Sequence, residues 1–142
     1  MNSIGKQQPR HVSRREQKVI NRLRFLLRRQ LLAMGGNDVM WKDDDPYLGM
    51  VAMNGKRCCQ PVHIFSELTD DDPHWNAALY WAKYREVASL ATGYALDDDG
   101  AWKSHSWVLK GDEIIETIAP KQGYFGIVLN YDQTIWFWTH QC

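Results

Sequence analysis

A histidine and a carboxylate placed to meet across a tight hairpin are the residues of this chain best suited to chemistry. His105-Ser106-Trp107-Val108-Leu109 and Ile114-Ile115-Glu116-Thr117-Ile118 are two apolar-rich runs separated by Lys110-Gly111-Asp112-Glu113. A Gly-first, two-residue loop at Gly111-Asp112 suits a type II′ turn. In that register Leu109 faces Ile114, Trp107 faces Glu116 and His105 faces Ile118, and all six share one side of a sheet. Glu116 is then the diagonal neighbour of His105, about 7–8 Å away and within reach of long side chains. A slip of one residue would send Glu116 to the other face, with Asp112 or Glu113 competing as the acid.

An imidazole oriented by a carboxylate can take the proton of a thiol. Cys58-Cys59 lies upstream and is followed by Gln60-Pro61. Proline is well tolerated in a first helical turn, so the sequence predicts a short helix from there to about Leu68. A cysteine at a helix N-terminus is biased towards thiolate by the partial positive charge of the helix end. Cys59, one residue closer to Pro61, is the first candidate nucleophile and Cys58 the fallback; His105 is the expected base and Glu116 the acid that orients it. The cysteine's own N–H is one candidate oxyanion donor, and Asn54 or Gln60 are candidates by type for another. Trp102, Trp107 and Tyr124 are candidates to wall a cleft, with Gly126 beside them. The chemistry expected is thiol-dependent acyl transfer or hydrolysis on an amide or ester of a protein or peptide-like substrate, with no cofactor. Against each assignment stands a plainer one: a small buried cysteine, a satisfied core histidine, and core tryptophans.

Two other chemistries are weighed. Cys59 and His63 stand at i, i+4, and His140-Gln141-Cys142 ends the sequence, but no Cys-x-x-Cys pair exists, so no metal is expected. Charge is the stronger signal. The 142 residues sum to zero, yet residues 1–30 carry nine Lys/Arg against Glu16 alone, a charge of +8, and the remainder carries −8. Such an arm has a partner of its own. Nucleic acid is one candidate, contacted by Arg22, Arg24, Arg28 and Arg29. The reading the sequence favours is an amphipathic helix docked on its own domain, its arginines meeting the acidic body. A third possibility is a non-catalytic interaction module of inhibitor or antitoxin type, using some of the seven Trp as a binding surface.

The elements that must position these residues read as α+β: helices first, then an antiparallel meander. Residues 1–36 form a basic arm and amphipathic helix, and residues 37–142 a single α+β domain. Ser13-Arg14-Arg15-Glu16 fits a capping box, and Ile20, Leu23, Leu27, Leu31 and Met34 form an apolar stripe that Gly35-Gly36 ends. Residues 37–57 look irregular. Asp72-Pro73 opens a helix with Trp75, Leu79, Ala82, Val87 and Leu90 on its buried side and Gly93 at its end. Strands are expected at about 94–96, 102–109, 114–118, 124–129 and 134–138, the last from the alternation of Ile135, Trp136, Phe137 and Trp138. The three Asp triplets read as solvated turns, because none has calcium-loop spacing. No run of about 18 apolar residues suggests a membrane span, no signal peptide is expected, and three cysteines without framework spacing point to the cytoplasm.

Gly93-Tyr94-Ala95, His105-Ser106-Trp107, Ile115-Glu116-Thr117 and Tyr124-Phe125-Gly126 together resemble a pattern of small uncharacterised bacterial and phage proteins. There a Gly-Tyr-Ala strand precedes His-x-Trp, then Ile/Val-Asp/Glu-x-Thr, then Tyr-Phe-Gly, with an upstream cysteine opening a helix. That order is similar to the core of papain-like and transglutaminase-like cysteine enzymes. The resemblance covers about residues 58–129. It implies a papain-like or transglutaminase-like core with Cys59 as nucleophile, His105 as base and Glu116 as orienting acid. The chain departs from the pattern at Val62, where Asn is frequent, and at Glu116, where Asp is the commoner acid.

Overall fold

Ser13 opens the first helix as its sequence predicts: its Oγ accepts the Glu16 N–H at 3.1 Å, and α1 runs Arg14–Met34. In the computed structural model, which describes residues 12–141, ten further elements follow. They are β1 (Asp38–Met40), α2 (Leu48–Asn54), β2 (Lys56–Cys58), β3 (Val62–Ile64), α3 (Pro73–Tyr84), β4 (Ala88–Leu96), β5 (Ala101–Lys110), β6 (Glu113–Glu116), β7 (Gly123–Val128) and α4 (Tyr131–Gln141). The architecture is α+β, with helices packed on a mixed sheet. None of the helices described is long and apolar enough to cross a membrane.

The sheet order is β2-β7-β4-β5-β6-β3, with β1 pairing parallel to the first residues of β5. Strands β2 and β3 are thus at opposite ends of the path, yet only Cys59, Gln60 and Pro61 separate them in sequence. A flat sheet of six strands is about 24 Å across, from its strand spacing of about 4.8 Å. The link from Cys58 to Val62 reaches at most about 14 Å. The sheet therefore has to roll until its edges approach each other.

The roll gives the sheet an inner and an outer face. Leu90, Tyr94, Leu96, Trp102, Val108, Ile115 and Phe125 point outward into the main core, which they share with Leu27 and Leu31 of α1, Val51 of α2, Ala77 and Trp81 of α3 and Phe137 of α4. The inner face holds a second cluster of Ala91, Ala95, Trp107, Ile114 and Tyr124. Glycines make the curvature possible. Gly93 pairs with Gly126 across β4 and β7 and with His105 across β4 and β5. A Cβ on Gly93 would collide with the Phe125 carbonyl oxygen, and one on Gly126 with the carbonyl oxygen of Thr92.

Several elements differ from the sequence expectation. No helix follows Pro61: Val62–Ile64 is a strand that pairs parallel to β6, and the Pro61 carbonyl accepts the Ile114 N–H at 2.8 Å. Alternating Val62 and Ile64 have better use as a sheet edge than as a helical turn. The helix begun by Asp72 and Pro73 ends at Tyr84, so Val87 is exposed, and Leu90 and Gly93 belong to β4. Residues 134–138 are helical, not a strand. Residues 37–57, expected to be irregular, hold β1, α2 and the first two residues of β2.

Candidate functional site

The hairpin forms in the predicted register. Leu109 pairs with Ile114 and Val108 with Ile115, which puts His105, Trp107, Ile114 and Glu116 on the inner face. His105 Nε2 lies 2.8 Å from Glu116 Oε1. Tyr124, reaching over from β7, donates its hydroxyl to the same oxygen at 2.7 Å, and the Ile118 N–H donates to Oε2 at 2.9 Å. Burial pushes the Glu116 carboxyl up, but the His105 hydrogen bond and charge, with the Ile118 and Tyr124 donors, outweigh it and hold the group below its ordinary range. Glu116 is therefore an ionised acceptor, and Nε2 must carry the proton it shares with it. Burial and the neighbouring carboxylate drive the Tyr124 hydroxyl well above its ordinary range, fixing it as a donor.

This triangle is sealed. Glu116 is 0% exposed, His105 3% and Tyr124 2%. The Trp107 ring stacks near His105 with centroids 6.2 Å apart and meets Tyr124 at 5.0 Å. None of the principal surface pockets is lined by His105, Glu116 or Tyr124.

The cysteines divide. Cys59, the first candidate nucleophile, is exposed on the link between β2 and β3 and stands at no helix start. Cys58 ends β2 opposite Tyr124 and packs half-buried against the inner cluster. Burial raises its thiol; the Trp107 indole N–H lies near that sulfur, short of a well-formed hydrogen bond, and partly opposes the rise. Among the described residues neither sulfur is hydrogen-bonded to His105, whose Nδ1 makes no hydrogen bond. Of the expected cleft walls, Trp107 and Tyr124 do flank His105. Trp102 does not: it lies on the outer face, donating its indole N–H to the Gly35 carbonyl at 3.0 Å. Asn54 and Gln60 make no contact with the triangle among the hydrogen bonds described. No group of three metal-ligating side chains occurs among the described residues; Cys142 lies outside them.

A polar chain on the outer face is absent from the sequence expectations. His74, in the first turn of α3, has Nδ1 2.7 Å from Ser106 Oγ and Nε2 3.2 Å from Ser104 Oγ. Ser106 donates to Thr92 Oγ1 at 2.9 Å, and Thr92 to the His105 carbonyl at 3.4 Å. The signal was the Ser-His-Ser alternation in β5, which puts two hydroxyls opposite any polar residue of a covering helix. Burial, with the Lys42 charge, lowers His74 to about 4. The fold holds the neutral form, so its contribution is complete above about pH 6.5 and is lost as pH falls towards 4, on the order of 2–3 kcal/mol. Asp45, raised by burial and accepting from the Tyr94 hydroxyl at 3.3 Å, acts in the opposite sense as pH falls, and it is not a solvated turn residue. Urea-unfolding free energies are expected to decline from about pH 6.5 to 4, and a His74→Gln protein to show a shallower decline. An equal slope in both proteins contradicts the assignment.

The four arginines picked from sequence do not share a face. Arg24 lies 5.5 Å from the Trp41 ring and Arg28 pairs with Asp38 at 3.5 Å, whereas Arg22 and Arg29 are exposed. The chain matches no family model, no curated protein and no solved structure.

Proposed function

We propose that this protein is a non-catalytic interaction module, and that the His105–Glu116–Tyr124 triangle is an internal brace rather than a reaction centre. One observation carries the reading: the carboxylate, the imidazole and the phenol close on one another inside the rolled sheet, none of the three residues more than 3% exposed. A catalytic dyad has to face the atom it acts on, within about 3 Å. The surface instead offers binding features. Tyr47, Met50 and Trp136 line a shallow apolar groove of about 260 Å³ between α2 and α4, and α1 presents its positive charge outward.

A second reading keeps support from a separate observation. Cys58 abuts Trp107 and Tyr124, the two rings that flank His105, and a papain-like or transglutaminase-like core would use such a thiol. In that reading Cys58, not Cys59, attacks an amide or ester, His105 Nδ1 takes its proton and Glu116 orients the ring. The two separate on an ester such as p-nitrophenyl acetate. A thiol enzyme releases a burst of nitrophenolate stoichiometric with protein and carries a transient acyl group. The binding-module reading expects no burst and no acyl adduct at Cys58 or Cys59. A burst that disappears with Cys58→Ala overturns it.

A further inference from the structure

One face of α1 has no use inside this molecule. The helix docks through Leu27 and Leu31, both fully buried, with Ile20 and Leu23 packed beside them. Opposite that side, at steps of three, four, three and four residues, stand Arg15, Lys18, Arg22, Phe25 and Arg29, all exposed. Among the described residues none of the four cations forms an ion pair; Arg28, round the side, pairs with Asp38, and Arg24 lies near enough to Asp45 to act on its carboxyl. The expectation that the arginines meet the acidic body thus fails at Arg15, Arg22 and Arg29, which point away. Arg29 sits 5.9 Å from the Phe25 ring, leaving a cation and an aromatic face side by side.

We infer that this stripe binds the phosphate backbone of nucleic acid. The inference stands whether the buried triangle is a brace or a reaction centre. Four cations from Arg15 to Arg29 of a straight helix span about 21 Å, a length over which one strand of a duplex presents about six phosphates. A membrane surface is a poorer match, because an interfacial helix must bury its apolar side in lipid and α1 has already committed that side to the core. The rest of the chain, residues 31–142 at −8, keeps the nucleic acid on this face by repelling it elsewhere. Phe25 offers a stacking surface to an unpaired base, which favours single strands over duplex.

The test is fluorescence anisotropy of the full chain with a labelled oligothymidylate and with a labelled duplex of the same length. Four phosphate contacts predict a fall in affinity of roughly 50- to 150-fold between about 50 and 200 mM salt. An Arg15→Ala/Lys18→Ala/Arg22→Ala/Arg29→Ala protein is expected to bind about tenfold or more weakly, with its logarithmic salt slope flattened by about 3. Alanine suits an exposed helix position, so this protein should fold. An Arg15→Lys/Arg22→Lys/Arg29→Lys protein retains binding. The inference is overturned if neither oligonucleotide binds, if the quadruple variant binds as tightly as the parent, or if poly-L-glutamate competes as well as DNA, which would assign the stripe to an acidic protein.

Discussion

Replacing Glu116 by alanine is expected to destabilise the protein by about 3–5 kcal/mol, the loss typical of breaking a buried ion pair. Three donors converge on this one carboxylate: His105 Nε2, the Tyr124 hydroxyl and the Ile118 N–H. All three lose their partner at once in a site that water does not reach. For a chain of this size the melting temperature should fall by about 10–20 °C. Glu116→Gln keeps an oxygen of the same reach and can still accept from Tyr124 or Ile118, so it should cost less. Urea denaturation of the two proteins measures the difference. A loss of under about 1 kcal/mol for Glu116→Ala, the range of an exposed pair, would show that the triangle braces nothing. The acid response carries a second signature. Glu116 is held below its ordinary range, so its contribution is present above about pH 4.5 and lost as pH falls through its folded value.

Gly126→Ala should be more damaging still, at over about 4 kcal/mol or with no folded protein recovered. The added methyl would run into the Thr92 carbonyl oxygen and stand 2.9 Å from the Trp107 ring. A backbone oxygen inside a paired strand cannot swing aside as a side-chain tip can. The collision would push β7 from β4 at the bend that rolls the sheet, and with it Tyr124 from Glu116. Gly111 is the control. It has φ 60° at the hairpin turn with open space around it, so its alanine variant meets only the left-handed backbone penalty, about 1–2 kcal/mol. Equal costs at the two glycines would contradict the tight roll.

The hairpin was legible because a two-residue Gly-first turn fixes register, and register fixes face. Hence His105, Trp107 and Glu116 could be placed together from sequence. So could α1 and the start of α3, whose caps Ser13 and Asp72 act locally. What long-range pairing decides was not legible. Gly93 reads as a helix end but serves as the hinge of a strand that pairs on both sides. Pro61 reads as a helix start but bridges two sheet edges whose proximity only the closed roll creates. The last helix carried a local signal that the Trp136–Trp138 alternation obscured. Asn130 Oδ1 accepts the Gln133 N–H at 2.8 Å and Gln133 Oε1 accepts the Asn130 N–H at 2.9 Å, a reciprocal capping box. The helix expected to carry Cys59 at its start does not form. Nothing in the local sequence tells a thiol at a helix start from one on a sheet edge.

The role of the buried triangle is tested most directly by alkylating the protein with iodoacetamide and mapping the modified residue, with and without His105→Gln. As a brace, His105 activates no sulfur. Cys58, raised by burial, should react slowly at about pH 6, speed up only in the alkaline range, and keep the same rate in the variant. Rapid labelling of Cys58 or Cys59 at about pH 6 that collapses in His105→Gln would contradict the account and restore a thiol enzyme.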